Sequence, residues 1–166
     1  IPDASVLEWA DSVCTAFPDR WAIVSSHYLM DTGDQGAFSA LGQAVYNQLK
    51  DNPNLFLMVS GHMAGEGRRS DTYQGRTVHT VMADYQSRTN GGNGFLRIMT
   101  VYPAESLMRV KTYSPWIDTY ETDADSSSQF TLPVTLAATP GWQLFGTCKV
   151  ASGDHAFIMW PARTAF

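Results

Sequence analysis

Two short apolar runs separated by a helix-length segment constrain the fold of this chain most. Residues 21–25 read WAIVS and residues 55–59 read LFLMV, and each run predicts a strand buried on both faces. Residues 38–49 between them carry apolar side chains at helical spacing and end before Asn52 and Pro53. Two strands joined by a helical crossover predict a parallel β-α-β unit.

An amphipathic helix is predicted before this unit. Apolar side chains recur at three- and four-residue spacing over residues 3–17, and Pro18 ends the pattern. Asp3 and Ser5 are both suited to cap its first turn.

The chain after Gly67 predicts mainly antiparallel strands. Residues 77–83, 95–102 and 108–113 are short and β-rich, and turn sequences separate them. The expected fold class is therefore α/β (α+β). The residues expected in the core are Val24, Leu57, Val59, Ile98 and Val110.

The last third predicts a β-rich extension. Residues 121–128 are polar and predict a surface segment. Residues 142–146, 149–151 and 156–160 predict further strands, with a turn at residues 152–154.

Composition limits the function classes. The chain has 166 residues, a formal net charge of −5, and 11 Lys and Arg residues that are scattered along it, which disfavours nucleic acid or an anionic membrane as partner. No apolar run approaches the roughly 20 residues that span a bilayer. Charged residues make up only 16%, which favours a secreted or periplasmic protein. Cys14 and Cys148 fit either two unpaired thiols or one long-range disulfide.

Two histidines follow the two predicted parallel strands. His27 comes just after the first and His62 just after the second. Because the carboxyl ends of parallel strands meet at one edge of a sheet, both imidazoles can face the same crevice. Imidazole binds zinc, iron and manganese, so His27 and His62 are candidate metal ligands, although a structural hydrogen-bonding role explains a single histidine equally well.

A glycine- and arginine-rich stretch surrounds His62. Gly61, Gly65 and Gly67 permit tight turns, and Arg68 and Arg69 are suited to bind phosphate. Ordinary turn glycines and a solvated basic pair explain the same residues.

The remaining polar residues give weaker indications. His79 lies inside a predicted strand, where a packed histidine is the default. Three carboxylates occur near the candidate segments, and neither the serines nor the cysteines have a nucleophile pattern. The carboxylates are Asp31, Glu66 and Asp84, and the serines are Ser25, Ser26 and Ser60.

Four segments together resemble the C-terminal half of calcineurin-like metallophosphoesterases, most of all a secreted bacterial branch. They are residues 20–33 (RWAIVSSHYLMDTG), 54–69 (NLFLMVSGHMAGEGRR), 77–105 and 110–132. The resemblance implies a four-layer α/β/β/α sandwich and a two-metal site that hydrolyses phosphate mono- or diesters. It matches His27 and His62 to two histidine ligands of the second metal, with Mn, Fe or Zn as the metal.

The departures from this family bear on activity. Ala64 stands where the family has the second histidine of its Gly-His-x-His motif, and the family's Asp-x-His, Gly-Asp and Gly-Asn-His-Asp/Glu motifs are absent from the chain. Two neutral imidazoles without a bridging carboxylate do not hold two divalent ions close together. We therefore expect no efficient catalysis by this chain alone and no metal requirement for its folding.

The end of the chain resembles a different module. Residues 141–161 (GWQLFGTCKVASGDHAFIMWP) are similar to the opening strands of a fibronectin type III-like module. The resemblances divide the chain into a partial metallophosphoesterase-like domain, residues 1–132, and a partial β-sandwich segment, residues 133–166.

Three functions remain open at this point. The chain is a piece of a larger secreted metallophosphoesterase whose missing N-terminal half is its partner, or a complete non-catalytic structural protein that self-assembles with other copies by strand addition. The third function is an active stand-alone hydrolase with a rearranged single-metal site.

Overall fold

The predicted β-α-β unit forms one side of a five-stranded sheet, in a computed structural model that describes residues 3–122, residues 127–135 and the backbone of two later strands. In chain order the elements are α1 (Ala4–Ala16), β1 (Ala22–Ser25), β2 (Gly33–Asp34), α2 (Ala40–Leu49), β3 (Leu55–Ser60), β4 (Gly65–Tyr73), β5 (Arg76–Asp84), α3 (Thr89–Gly92), β6 (Leu96–Tyr102), β7 (Leu107–Ser114), β8 (Thr119–Tyr120), β9 (Gln129–Pro133), β10 (Trp142–Lys149) and β11 (His155–Pro161).

The first sheet has five strands in the order β1-β3-β5-β4-β2. β1, β3 and β5 are parallel, and α2 crosses over between β1 and β3 as predicted. β4 runs antiparallel to β5, and the short β2 pairs with the far edge of β4. The carboxyl ends of β1, β3 and β5 therefore lie at one edge of this sheet.

The second sheet is antiparallel, in agreement with the predicted continuation. β7 is its central strand, with β6 on one side and both β8 and β9 on the other.

Two apolar cores hold three layers together and confirm the α/β (α+β) class. Val45 and Leu49 of α2 pack against Leu55 and Met58 on one face of the first sheet. The two sheets pack face to face through a second cluster, and burial of these side chains supplies most of the stabilisation between layers. This cluster comprises Phe56, Leu57, Val81, Met108, Val110, Leu132 and Val134.

Helix α1 forms where the sequence predicts it and packs on α2. Asp3 caps it, since its carboxylate accepts a hydrogen bond from the Val6 backbone N–H at 3.2 Å. Leu7 and Ala10 face the core formed with α2. The other side of the helix leaves apolar side chains exposed, namely Val6, Trp9, Val13 and Phe17.

The structure corrects the prediction for the core at one residue. Ile98 is 38% exposed, because it pairs with Lys111 on the outer face of the second sheet. Leu57 and Val110 are buried as predicted, and Val24 and Val59 are partly buried against the cores.

The glycine- and arginine-rich stretch, whose glycines were interpreted as suited to tight turns, lies mostly in strand β4. Gly67 fits a close approach of two backbones, because a Cβ there would lie 2.6 Å from the Asp31 carbonyl oxygen. Gly65 has a φ of +122°, which a side chain would disfavour. Backbone packing therefore accounts for Gly67, and backbone conformation accounts for Gly65.

The polar tract predicted to lie on the surface ends in the interior. Ser127 and Ser128 are buried, and Ser128 donates a hydrogen bond to the buried Glu66. The prediction for these two residues is wrong, and for Ser128 the reason is that a buried carboxylate supplies the acceptor that a buried hydroxyl needs.

The predicted C-terminal strands form an antiparallel pair, β10 with β11. The predicted turn at residues 152–154 and the Cys148 side chain lie outside the described residues. Pairing of Cys148 with the half-buried Cys14 stays a prediction, as does the fibronectin type III-like assignment. Among the described helices, none is long and apolar enough to cross a bilayer.

Candidate functional site

His27 and His62 come together at the carboxyl edge of the first sheet. Each lies on the loop that follows one of the neighbouring parallel strands, β1 and β3. The backbone joins these loops, since the Gly61 N–H donates to the His27 carbonyl oxygen at 3.1 Å. The topology argument from the sequence thus places the two imidazoles correctly.

The two rings are in direct contact. Nδ1 of His62 lies 3.2 Å from Nε2 of His27, and the ring centroids are 4.4 Å apart. Both side chains are exposed, so solutes can reach the paired nitrogens. A proton shared between the nitrogens fits this geometry, and so does a cation that takes the place of the proton.

The backbone at His62 is strained. Its φ is +75°, and the Met63 N–H donates to the Gly61 carbonyl oxygen at 3.1 Å, across His62. A hydrogen bond between residues i and i+2 with this φ is typical of the rare γ-turn, which is unfavourable for a residue with a side chain. Strain of this kind clusters at functional sites.

Tyr28 completes a small aromatic cluster that the sequence analysis did not single out. Its ring centroid lies 4.8 Å from that of His62, and its hydroxyl donates to the Asp31 carboxylate. That hydrogen bond raises the pKa of Tyr28, since the proton is held against a carboxylate. The sequence signal for including Tyr28 in this site was its position directly after His27.

The predicted carboxylates do not complete a metal site with these histidines. Within the described part of the chain, no group of three or more His, Cys, Asp or Glu side chains is placed to hold a metal ion. Asp31 binds Tyr28, and Asp84 accepts from the Gln86 N–H at 2.9 Å. Ala64 is exposed and offers no side-chain ligand atom.

The two arginines of the glycine-rich stretch are engaged within the chain. Arg68 forms an ion pair with Asp34 at 2.8 Å, and Arg69 forms one with Asp71 at 2.6 Å. Arg69 also stacks over the Phe38 ring, with its guanidinium carbon 3.7 Å from the ring centroid. These contacts favour a structural role over the phosphate-binding role.

His79 is buried, as expected for a packed histidine. Its Nε2 lies 2.8 Å from the Pro133 carbonyl oxygen and its Nδ1 lies 2.8 Å from the Ser70 hydroxyl. Because a carbonyl oxygen only accepts, Nε2 carries the proton and Nδ1 accepts from Ser70. Burial lowers the pKa of His79 below its usual value of 6.5, which favours the neutral ring at neutral pH.

A polar cluster buried between the sheets is the main feature that sequence reasoning missed. Glu66 forms an ion pair with Arg97, and both side chains are at least 94% buried, with exposures of 2% and 6%. Its carboxylate also accepts from Ser128 at 2.5 Å, from Thr112 at 2.7 Å and from the Tyr85 hydroxyl. Burial would raise the pKa of Glu66, but the hydrogen bonds and the Arg97 charge lower it. The sequence signal for this cluster was the alternation of side-chain direction along β6, which turns Arg97 inward between Leu96 and Ile98.

The same cluster affects Tyr85. Burial, opposed by the Arg97 charge and supported by the hydrogen bond to Glu66, raises the pKa of Tyr85 to about 12. Its hydroxyl therefore stays protonated and donates to Glu66 at neutral pH.

Comparison with known proteins gives one similar sequence of unassigned function. No family model matches the chain, and no solved structure matches it. The chain is 32% identical over 143 residues to a protein named "Uncharacterized protein YvnB" from Bacillus subtilis strain 168. The match covers 78% of this chain and 11% of YvnB, so the chain is similar to one segment of a much longer protein.

Proposed function

We propose that this chain forms part of a divalent-metal phosphoesterase centre in which His27 and His62 bind one metal ion. The supporting observation is the 3.2 Å separation between His27 Nε2 and His62 Nδ1. Two imidazole nitrogens bound to one zinc at 2.0–2.1 Å with tetrahedral geometry lie about 3.3 Å apart. The separation of the two nitrogens therefore matches that of two imidazoles bound to one tetrahedral zinc.

His27 and His62 can supply two ligands in the coordination shell of one metal ion, but they do not fit a two-ion centre. Two neutral ligands leave the charge of a divalent ion uncompensated, and no third ligand stands beside them among the described residues. The remaining ligands come, in this proposal, from the N-terminal half of the domain or from another copy of the chain. We also propose that the protein is secreted or periplasmic. The complete centre, with its remaining ligands, would hydrolyse phosphate mono- or diesters.

Calorimetric titration with Zn²⁺ and with Mn²⁺ tests the metal site. We expect one weak site per chain that is lost in His27→Ala and in His62→Gly. The glycine variant also relieves the positive φ, so its unfolding free energy is expected to rise by about 1 kcal/mol while metal binding disappears.

The matched control is His79→Gln, which removes an imidazole whose two nitrogens are already hydrogen-bonded. It is expected to leave metal affinity unchanged in folded protein. Metal affinity that survives both His27→Ala and His62→Gly contradicts the proposed site.

A phosphodiester assay tests the expected lack of catalysis. The chain alone, with added Mn²⁺ or Zn²⁺, is expected to show no turnover of a chromogenic phosphodiester. Turnover that His62→Ala abolishes would instead support the stand-alone hydrolase.

A second candidate function, self-assembly by strand addition, is favoured by strand β6. Along the described part of the chain, β6 pairs with β7 on one edge only. It exposes more than a third of Leu96, Ile98 and Met99, and long apolar edge strands promote pairing between molecules. The molar mass in solution separates the candidates, because strand addition predicts oligomers that grow with concentration.

A further inference from the structure

Helix α1 carries an apolar stripe along one side that is open to solvent. The stripe consists of Val6, Trp9, Val13 and the C-capping residue Phe17. Trp9 is 65% exposed, and the other three residues are between 36% and 47% exposed. A continuous exposed apolar surface of this kind is typical of an interaction site.

The spacing within the stripe is that of a helix which packs against another helix. Neighbouring members are three or four residues apart, so they stay on one side of the helix over a length of about 16 Å. Leu7 and Ala10, which contact the core beside α2, lie on the adjacent side. The apolar face of α1 is therefore wider than its contact with the core, and it leaves room for a second helix.

The two ends of the stripe carry opposite charges. At the beginning of α1, the Asp3 carboxylate accepts from the Val6 backbone N–H at 3.2 Å. At the other end, the Arg20 guanidinium carbon lies 5.2 Å from the centre of the Phe17 ring. Two parallel copies of α1 would bring like charges together, whereas two antiparallel copies bring Asp3 beside Arg20 and oppose the helix dipoles.

The order of residues along the stripe is also self-complementary. Residues that lie almost equally far from its centre form three pairs, namely Val6 with Phe17, Trp9 with Val13, and Asp3 with Arg20. In a two-fold dimer, a residue that contacts a second residue is contacted in turn by the same residue of the other copy. Antiparallel pairing of α1 with itself meets this condition for the apolar contacts and for the charges together.

We propose that two copies of this chain form a dimer through antiparallel pairing of their α1 helices. Val6 of each copy packs on Phe17 of the other, the Trp9 and Val13 side chains fill the centre, and the charges meet at both ends. The exposed area of the stripe is on the order of 350 Å² per chain. The interface thus falls at the small end of specific interfaces, and we expect a dissociation constant on the order of 10 μM.

This dimer is distinct from strand addition at β6. Pairing through α1 uses the whole stripe of both copies and therefore stops at two chains, whereas strand addition continues to larger oligomers. The two surfaces also lie on different layers, because α1 packs with α2 on the first sheet and β6 belongs to the second.

Sedimentation velocity of the full chain, over a concentration range of about 1–200 μM, tests the dimer. Wild type is expected to show a two-chain species whose fraction rises across this range. Trp9→Lys places a charge at the centre of the stripe and should raise the dissociation constant at least ten-fold. Because Trp9 is mostly exposed, this variant should fold normally. The matched control is Glu8→Lys, at an exposed residue on the side of α1 away from the stripe, and it should change the constant by less than two-fold.

A double-mutant cycle tests the antiparallel orientation. Asp3→Asn keeps a capping side chain but removes the charge, and Arg20→Gln removes the opposite charge. Each single change should weaken the dimer about three-fold. The double variant should be no weaker than either single variant, because the two residues contact each other in the dimer. Far-ultraviolet circular dichroism confirms that α1 stays helical in all three.

Several results would overturn the proposal. Monomeric wild type across the whole range would assign the stripe to a partner other than a second copy. An unchanged dissociation constant in folded Trp9→Lys would place the contact on another surface. A tighter dimer in Asp3→Asn would indicate parallel helices, and additive effects in the double variant would separate Asp3 from Arg20.

Discussion

At the residue scale, Glu66 and Arg97 decide how the two sheets are joined. Arg97 is buried with Nη2 on the Glu66 carboxylate, while its Nε and Nη1 lack partners within the described residues. Removal of one member of such a pair leaves a buried charge without compensation, which costs more than the intact pair contributes. The pair therefore fixes the packing of β4 against β6 rather than adding much net stability.

We expect Glu66→Gln to lower the unfolding free energy by about 3–5 kcal/mol, measured by urea denaturation. The double variant Glu66→Gln with Arg97→Met should recover most of this loss, because no buried charge remains. Glu105→Gln, at the exposed pair with Arg109, is the control and should change stability by less than about 1 kcal/mol. Equal effects at Glu66 and Glu105 would contradict the structural role of the buried pair.

His79 gives the fold a pH dependence. Its pKa in the folded chain is lowered from 6.5, so below that pH the unfolded chain binds more protons than the folded one. The stability that the neutral ring contributes is thus complete above pH 6.5 and is lost as the pH falls towards the folded pKa. Glu66 adds a second loss at lower pH, starting below 4.5, because its folded pKa is also lowered.

Urea denaturation at a series of pH values measures this effect. We expect wild-type stability to fall as the pH drops below 6.5, and His79→Gln to be less stable at neutral pH but flatter through the same window. An unchanged slope in His79→Gln would assign the pH dependence to another group.

At the element scale, hydrophobic periodicity predicted most of the strands and helices but missed β4. α1 and α2 were predicted because their apolar residues recur at helical spacing, and β1 and β3 because each is a short continuous apolar run. β4 has the polar sequence GEGRRSDTY. A polar strand is stable here because its side chains bind partners that are distant in sequence, as Glu66 binds Arg97. Sequence alone does not show such partners, and a polar strand with two glycines therefore resembles a loop.

Strand β6 carries the prediction for self-assembly. If copies associate through this strand, Ile98→Glu should prevent association, since it places a charge on the exposed apolar edge. The new carboxylate faces Lys111 across the sheet, so the fold should be preserved. Thr100→Glu, opposite Arg109, adds the same charge without removing an apolar side chain and is the matched control.

Light scattering over a concentration series measures the outcome. Loss of oligomers in Ile98→Glu but not in Thr100→Glu supports strand addition at this edge. A monomer at all concentrations in wild type contradicts the self-assembly proposal.

At the scale of the whole molecule, the first sheet places distinct chemistry at its two edges. The carboxyl edge holds His27 and His62, and a cavity of about 390 Å³ at the amino edge is lined by Trp21, Asn54 and Arg76, among other residues. The histidine pair was predictable because parallel strands bring their carboxyl ends together. The cavity was not, because its walls come from loops and from the segment after β9, whose relative positions depend on tertiary packing.

The paired histidines are the centre of this account, and nitrogen NMR of their imidazole rings tests it most directly. During titration with Zn²⁺, we expect the resonances of His27 Nε2 and His62 Nδ1 to shift together as the metal replaces the proton between them. The His79 nitrogens, held by Ser70 and Pro133, should stay unchanged. A titration in which saturating Zn²⁺ leaves the His27 and His62 resonances unmoved, or shifts the other ring nitrogens instead, would contradict a shared metal site at this pair.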